Sequence, residues 1–271
     1  MSWSGSSNRR DHHVALLEGA PEFLIFLLHM DVLGADKQYV RSLFNAIAYR
    51  YDLLNHLLSG GADLYWRRKA VECLRADAPR TILDIATGTG DFALAVLELN
   101  PERVVGVDIA ETMLELGREK LRRRGAQDRV TFQQGDAELL AFADGSFDAA
   151  IVAFGVRNFE HLDQGLREMR RVLKPGGRVV ILEFSRPKTF PFRQIYLAYF
   201  RTLLPLIGRL VSGHTGAYTY LPDTVMRFPE GPAFLEQLRA SGFDELREER
   251  LTFGIATIYT GRRGPVPSSR T

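Results

Sequence analysis

Two glycines and three aspartates set the first chemical question in this sequence. Asp84-Ile-Ala-Thr-Gly88-Thr89-Gly90-Asp91 puts Gly88 and Gly90 between an apolar run and a helical run. Glycines at such a turn let a ligand approach the main chain closely, at the positive end of the next helix. Asp108 ends the following apolar run, where a carboxylate can accept hydrogen bonds from both hydroxyls of a ribose, a role shared by NAD and S-adenosylmethionine sites. Asp136-Ala137 ends the next run. An acid there can take the exocyclic amine of adenine while the main-chain N–H beside it meets a ring nitrogen. Each feature also has a plain structural explanation, since the glycines make a tight turn and either aspartate can cap a helix. Two acids at successive strand ends after a glycine loop point to a nucleoside ligand. Gly88-x-Gly90-x-x-Ala93 also fits the dinucleotide fingerprint, so an NAD-linked oxidoreductase stays open.

The elements that must hold these residues alternate. Strands are expected over 81–86, 104–108, 130–133, 147–154 and 178–184, with helices over 91–99, 111–124 and 162–173. That rhythm implies right-handed crossovers and a parallel sheet covered on both faces. Ahead of it lie helices over 37–58 and 63–76, with Asp63 as N-cap of the second. Leu173-Lys-Pro-Gly-Gly177 reads as a turn. The apolar and aromatic segment 187–211 breaks the rhythm. A helix over 232–241 stops at Gly242, and strands around 244–251 and 253–261 pair antiparallel because their connection is too short for a crossover. The expected fold is α/β: a Rossmann-like, seven-stranded, mostly parallel sheet with extra N-terminal and lid helices. Residues 1–35 read as an extension, 36–263 as the domain with a lid segment at about 187–230, and 264–271 as a disordered tail.

Composition narrows the partners. The 271 residues carry a net charge of +2, which predicts no nucleic-acid role. Cys73 is the single cysteine, so neither an intrachain disulfide nor a zinc site can form, and a reducing compartment is expected. No apolar run reaches the roughly 18 residues of a spanning helix, and Met1 to His13 is too polar for a signal peptide. The expected location is cytoplasmic.

The set Asp84, Gly88, Gly90, Asp108, Asp136-Ala137 and Leu173-Lys-Pro-Gly-Gly177 resembles a class I S-adenosylmethionine-dependent methyltransferase. Longer stretches resemble the quinone C-methyltransferases, which act on demethylmenaquinone or a polyprenyl-methoxy-benzoquinol. These are Tyr51-Asp-Leu-Leu-Asn55-His-Leu-Leu-Ser59 with Trp66, Phe154-Gly-Val-Arg157-Asn158-Phe, and Arg171 through Glu183-Phe-Ser185. Tyr220-Leu-Pro, Arg227-Phe-Pro and Leu251-Thr-Phe-Gly254 complete the likeness, which spans about residues 37–263. The loop 86–91 and Gly155 to Glu160 look more like the menaquinone branch. The chain departs from the family's pattern at Asp63 and Tyr259, where histidine is common. It departs again at Ala153, where some members hold the cofactor with a serine; only the main chain serves here.

The resemblance implies S-adenosylmethionine as cofactor, held by Asp84, Gly88, Thr89, Gly90, Asp108, Asp136, Ala137 and Ala153, and no metal. The sulfonium methyl is already activated, so the protein's task is mainly alignment. A quinol ring carbon becomes nucleophilic when a neighbouring hydroxyl, with a free pKa near 10, ionises. Arg157 is a fixed cation suited to that phenolate, while Asn158 and Tyr51 can hydrogen-bond a ring oxygen. The family likeness points to Arg157 with an ordered water as proton acceptor; His161 is an alternative. Structural roles stand beside these: Arg157 paired with Glu160, Asn158 and Asp91 as helix caps, Tyr51 in the core, and Glu183 either buried and paired or lining the pocket. The segment 190–211, with Arg193, Arg201 and Arg209, reads either as a cover on the sheet or as a greasy groove with a basic rim. On the second reading the prenylated quinol brings peripheral, reversible contact with the inner face of the membrane. A homo-oligomer is left open.

Overall fold

Residues of opposite parity along the central strands are apolar alike. Ile82, Val104, Ala149, Ile151, Val180 and Leu182 pack on one face of the sheet. Leu83, Ile85, Val105, Val107, Ala150 and Ile181 pack on the other. A strand that is apolar on both faces must be covered on both, which is the signature of a parallel sheet between helical layers. The computed structural model, which describes residues 36–199, 220 and 224–264, has this form.

Seven strands build the sheet: β1 (Thr81–Ile85), β2 (Arg103–Asp108), β3 (Val130–Gln134), β4 (Phe147–Ala153), β5 (Leu173–Phe184), β6 (Phe243–Leu251) and β7 (Ala256–Arg263). Their order is β3-β2-β1-β4-β5-β7-β6. The first five pair in parallel, while β7 runs antiparallel to both β5 and β6. The helices are α1 (Lys37–Ser59), α2 (Ala62–Glu72), α3 (Asp91–Ala95), α4 (Glu111–Arg124), α5 (Leu162–Val172), α6 (Phe192–Ala198) and α7 (Pro232–Ala240). Side chains of α2, α3 and α4, including Val71, Phe92 and Leu114, cover the first face. Leu166 and Met169 of α5 and Phe234 and Leu238 of α7 cover the second. Each such fully buried side chain contributes about 1.5–3 kcal/mol.

Four local expectations change. Asp63 is not an N-cap: Gly61, at φ +79°, precedes α2 and no side chain caps it. Asp63 is instead buried, accepting from Ser59 Oγ at 2.8 Å and Arg67 Nη1 at 2.5 Å and lying 2.9 Å from His56 Nδ1. The helix expected to 76 ends at Glu72, with a short 3-10 turn over Arg75–Asp77. Leu173 to Gly177 belongs to β5 rather than to a free turn, because Leu173 pairs with Phe147 before the register jumps to Arg178 opposite Ala149. The last strand starts at Ala256, since Thr252–Gly254 forms a turn with Phe253 at φ +58°. The expected extension over 1–35, most of the lid beyond 199, Arg201, Arg209 and the tail from 265 lie outside the described residues.

Candidate active site

The strand order reverses between β1 and β4, and a cleft opens at their carboxyl ends. In open α/β sheets this switch point is where ligands bind. Gly88, Asp108, Asp136, Ala137, Ala153, Tyr51 and Asn158 all line it. Seven of the residues singled out by sequence therefore meet in one place, although they span more than one hundred positions.

Asp108 ends β2 and reaches across to the glycine loop. Its Oδ2 accepts the Gly88 N–H at 2.8 Å and its Oδ1 accepts the Ala110 N–H at 2.9 Å. Burial raises its carboxyl above the ordinary range, against those main-chain bonds. Gly88 sits at φ +57°, with Tyr51 Cε1 3.8 Å from where a Cβ would stand, so the loop approaches α1 closely. Asp136 follows β3. Its Oδ1 accepts the Glu138 N–H at 2.9 Å, and its Oδ2 accepts from Lys37 Nζ at 2.7 Å. Lys37 also lies 2.9 Å from Glu138 Oε2. Sequence reasoning missed Lys37, Val40 and Phe44, which line the cleft from α1 alongside Tyr51. Their helical spacing was legible, but nothing in it said that this face covers a ligand site.

Asp84, Thr89 and Gly90 were expected to hold the cofactor, yet none lines the cleft. They shape the loop from beneath. Asp84 is 1% exposed and its Oδ2 accepts from Thr87 Oγ1 at 2.5 Å. Thr89 donates to Asp52 of α1 at 2.6 Å and accepts from Lys120 of α4 at 3.0 Å. Gly90 is glycine for two reasons: φ is +85°, and a Cβ would lie 2.2 Å from the Phe132 ring. Asp91 caps nothing with its side chain and pairs with Lys120 at 2.6 Å.

Burial pushes Asp84 up to about 7 from 3.8, against the Thr87 hydroxyl and the Ala93 N–H. The unfolded chain therefore loses this proton at lower pH than the folded one. Stability from the neutral carboxyl is present below the unfolded value and is lost as pH rises to about 7. Asp84→Asn removes that loss. Thermal melts at about pH 5 and about pH 8 should show the variant gaining on the parent at the higher pH. A difference that does not move with pH would mean that Asp84 titrates alike in both states.

The 3-10 turn Val156–Asn158 carries Arg157 and Asn158; of the three residues expected to be catalytic, Tyr51 and Asn158 line the cleft and Arg157 does not. Asn158 caps no helix; its Oδ1 accepts from Tyr220 Oη at 2.9 Å. Burial pushes the Tyr51 phenol up, while a hydrogen bond with Asn55 and the Arg157 charge pull against it. Arg157 pairs not with Glu160 but with Glu183 at the end of β5, Nη1 to Oε1 at 2.8 Å, the two side chains being 6% and 0% exposed. Its Nε–H is buried and has no partner among the described residues. The Arg157 guanidinium lies 5.4 Å from the Phe184 ring, Phe184 stacks on Phe154 at 4.3 Å, and Arg67 lies 5.5 Å from the other ring of that pair. His161 is exposed and does not line the cleft. Tyr259, one of the departures, is buried and its hydroxyl accepts the Gly231 N–H at 2.8 Å, a structural role. Ala86 and Phe154 at the two strand ends have φ of +52° and +59°. Left-handed non-glycine residues are uncommon and cluster at functional sites.

Comparison with known proteins gives a family and a fold. A family model described as the ubiE/COQ5 methyltransferase family matches residues 32–263. A demethylmenaquinone methyltransferase of Thermus thermophilus is 50% identical, covering 82% of this chain and 100% of its own length. One of Bacteroides fragilis is 47% identical over 85% of this chain and 94% of its own. The ubiquinone/menaquinone biosynthesis C-methyltransferase UbiE of Geobacter sulfurreducens is 48% identical over 83% and 88%. Among solved structures, the [4+2]-cyclase SpnF aligns with a TM-score of 0.61 at 20% identity, covering 86% of this chain and 98% of its own. A methyltransferase of Thermotoga maritima described as S-adenosylmethionine-dependent aligns at 0.56 and 21%, covering 82% and 99%. Those two likenesses establish the fold, a Rossmann-like sheet with an antiparallel end.

Proposed function

The chain belongs to the ubiE/COQ5 methyltransferase family, and from that premise we propose that it methylates a ring carbon of demethylmenaquinol to give menaquinol, with S-adenosylmethionine as methyl donor. The observation that carries the choice of substrate is the 50% identity along the whole length of a demethylmenaquinone methyltransferase. The Geobacter relative's name covers ubiquinone as well, so a polyprenyl-methoxy-benzoquinol is the second substrate to test.

The donor set at the cleft suits an adenosyl group. Asp108 would take the ribose hydroxyls. Asp136 would take the adenine amine, with the Ala137 N–H beside it, and Ala153 and Gly88 would contribute main chain and close approach. When bound, S-adenosylmethionine supplies a methyl carbon that is already electrophilic. The protein's part is to present the ring carbon in line and to favour the phenolate that makes it nucleophilic. Arg157 would act from behind the wall that its neighbour Asn158 lines; its buried Nε–H has no partner among the described residues, which supports giving it the charge-stabilising role. Tyr51 and Asn158 fix the ring from the cleft walls.

A prenyl tail favours remaining in the bilayer at about 0.8 kcal/mol per buried CH₂, so the reading includes peripheral contact with the inner face of the membrane from a cytoplasmic location. Tyr49, Leu53 and Leu57, exposed on successive turns of α1, and Leu64 and Tyr65 of α2 suit such a face. Among the described residues no helix is long and apolar enough to cross a membrane. One assay tests the whole reading: labelled cofactor is given with each reduced quinol in liposomes, product mass is measured, and the protein that sediments with the vesicles is counted. Methylated naphthoquinol and vesicle-bound protein are expected. Product from the benzoquinol alone would overturn the substrate choice, and full activity without sedimentation would overturn the membrane contact.

A further inference from the structure

Thr252 and Phe253 are consecutive non-glycine residues in left-handed backbone, at φ +46° and +58°, where the chain turns from β6 into β7. β-Branched and bulky side chains avoid that region, so the surroundings must hold them there. Three hydrogen bonds do. Thr252 Oγ1 accepts from Trp66 Nε1 at 2.7 Å, Ser185 Oγ donates to the Gly254 carbonyl at 2.8 Å, and the Ser185 N–H donates to the Ile255 carbonyl at 2.9 Å. What this pinned turn presents to water is an aromatic ring, since Phe253 is 65% exposed. Phe192, at the start of α6, stacks on it with centroids 3.8 Å apart and planes 7° from parallel. Phe190 and Ile195, two residues before and three after Phe192, are 80% and 61% exposed. Folding alone drives such rings off the surface. A strained turn that keeps one there marks an apolar patch with a partner.

Two observations choose the partner. Lys188 and Arg193 border the apolar residues, are exposed, and have no acidic partner among the described residues. Cations at such a border suit anionic headgroups, with their stems following the rings inward. A second copy of this chain, packed about a twofold axis, would set the basic rim against itself. The patch also shares the sheet edge with the cleft. Ala256, first in β7, pairs with Phe184 at the carboxyl end of β5. Phe184 stacks on Phe154, which lines the cleft, and Trp66 packs edge-on against Phe154 at 6.0 Å and Phe184 at 6.1 Å. Packed aromatic side chains thus lead from the cleft wall through Trp66 to the turn.

We propose that the 252–254 turn and the start of α6 insert into an anionic bilayer, with Phe253, Phe192, Phe190 and Ile195 at the acyl boundary and Lys188 and Arg193 among the headgroups. This rests on the prenylated-quinol reading above and gives its membrane contact an anchor. The rigidity of the turn sets the orientation. A ring inserted at this sheet edge holds the carboxyl ends of the strands toward the lipid, so a quinol whose tail stays in the bilayer meets the cleft. The exposed side chains of α1 and α2 widen that face, and Phe253 fixes it.

The test sediments the full chain with vesicles of phosphatidylcholine alone and of phosphatidylcholine mixed with phosphatidylglycerol. The parent should favour the mixed vesicles. Phe253→Glu should bind them about 10–100-fold more weakly, the loss of one buried ring. Lys188→Gln with Arg193→Gln should erase the preference for the mixed vesicles. Calorimetric affinity for S-adenosylhomocysteine should hold in all of these, because none of the three positions lines the cleft. If Phe253→Glu fails to fold, Phe253→Gly carries the test: glycine adopts φ +58° without strain, so the turn keeps its shape while the ring is lost, and vesicle binding should fall. Phe253 variants that bind as tightly as the parent would overturn the proposal. So would Leu53→Glu on α1 abolishing binding where Phe253→Glu does not, or a concentration-dependent dimer of the parent that Phe253→Glu dissolves. A parent that methylates the quinol in detergent but ignores both kinds of vesicle would sink the membrane contact and this anchor together. A parent that methylates no quinol yet loses vesicle binding on Phe253→Glu would sink the functional reading and leave the anchor standing.

Discussion

Arg157→Ala should lose about 10²–10³-fold in turnover, the cost of removing one preorganised donor from a developing oxyanion. The same change should make the chain markedly less stable, and the two losses have different origins. Glu183 is fully buried and Arg157 is its counter-charge at 2.8 Å. Truncating the arginine strands a carboxylate in the core, which costs about 3–5 kcal/mol. Replacing both members, as in Arg157→Met with Glu183→Gln, removes the stranded charge and should bring the melting temperature back toward the parent. Turnover should stay lost. S-Adenosylhomocysteine affinity should hold within about threefold in the double variant, a difference of under about 1 kcal/mol. The stability rescue without activity rescue separates folding from chemistry. A double variant that methylates at the parent's rate would remove Arg157 from the mechanism, and a single variant as stable as the parent would mean that the pair is not buried as described.

The pattern of legibility follows from sequence distance. The strand and helix alternation is local, and hydrophobic periodicity reports it directly, so β1 to β4 and α1, α4 and α5 stand close to where periodicity puts them. Errors concentrate where tertiary contact overrides local signals. Asp63 has the composition of an N-cap, but the buried Arg67 guanidinium one turn later and His56 of the preceding helix, seven residues back, draw its carboxylate inward. Lys-Pro-Gly-Gly reads as a turn and joins a strand because Phe147 offers Leu173 a partner before the jump in register. The site shows the same division. Gly88, Asp108 and Asp136 are legible because each lies at, or two to three residues beyond, the carboxyl end of a strand. Asp84, Thr89 and Gly90 share their motif but serve the loop's shape: the pattern marks the loop, and only packing tells its inner residues from its outer ones. Lys37 and Asp136 lie 99 residues apart, and Arg157 and Glu183 lie 26 apart. Neither pairing leaves a trace in spacing, so the Lys37–Asp136 pair on the cleft and the buried Arg157–Glu183 pair are found only in three dimensions.

Asp108→Ala should weaken cofactor binding severely, because this one carboxylate has two tasks. It would accept the ribose hydroxyls, and it already ties the glycine loop to β2 through Gly88 at 2.8 Å. Hydrogen bonds to a charged group contribute about 1.5–3 kcal/mol each. Losing two ligand bonds should therefore weaken S-adenosylhomocysteine by about 10²–10⁴-fold, read by calorimetry. The loop contributes a further loss, since Gly88 at φ +57° then has no acceptor to hold its N–H. Asp108→Asn divides the two tasks. An amide oxygen can still accept from Gly88, while the amide nitrogen cannot accept from ribose, so its affinity should fall between parent and alanine. The raised carboxyl of Asp108 adds a pH signature. Protonation removes acceptor capacity, so affinity for S-adenosylhomocysteine should weaken in the parent as pH falls through that value and should be flat in Asp108→Asn. Affinity in Asp108→Ala within about threefold of the parent would place the ribose elsewhere and remove the adenosyl group from this cleft.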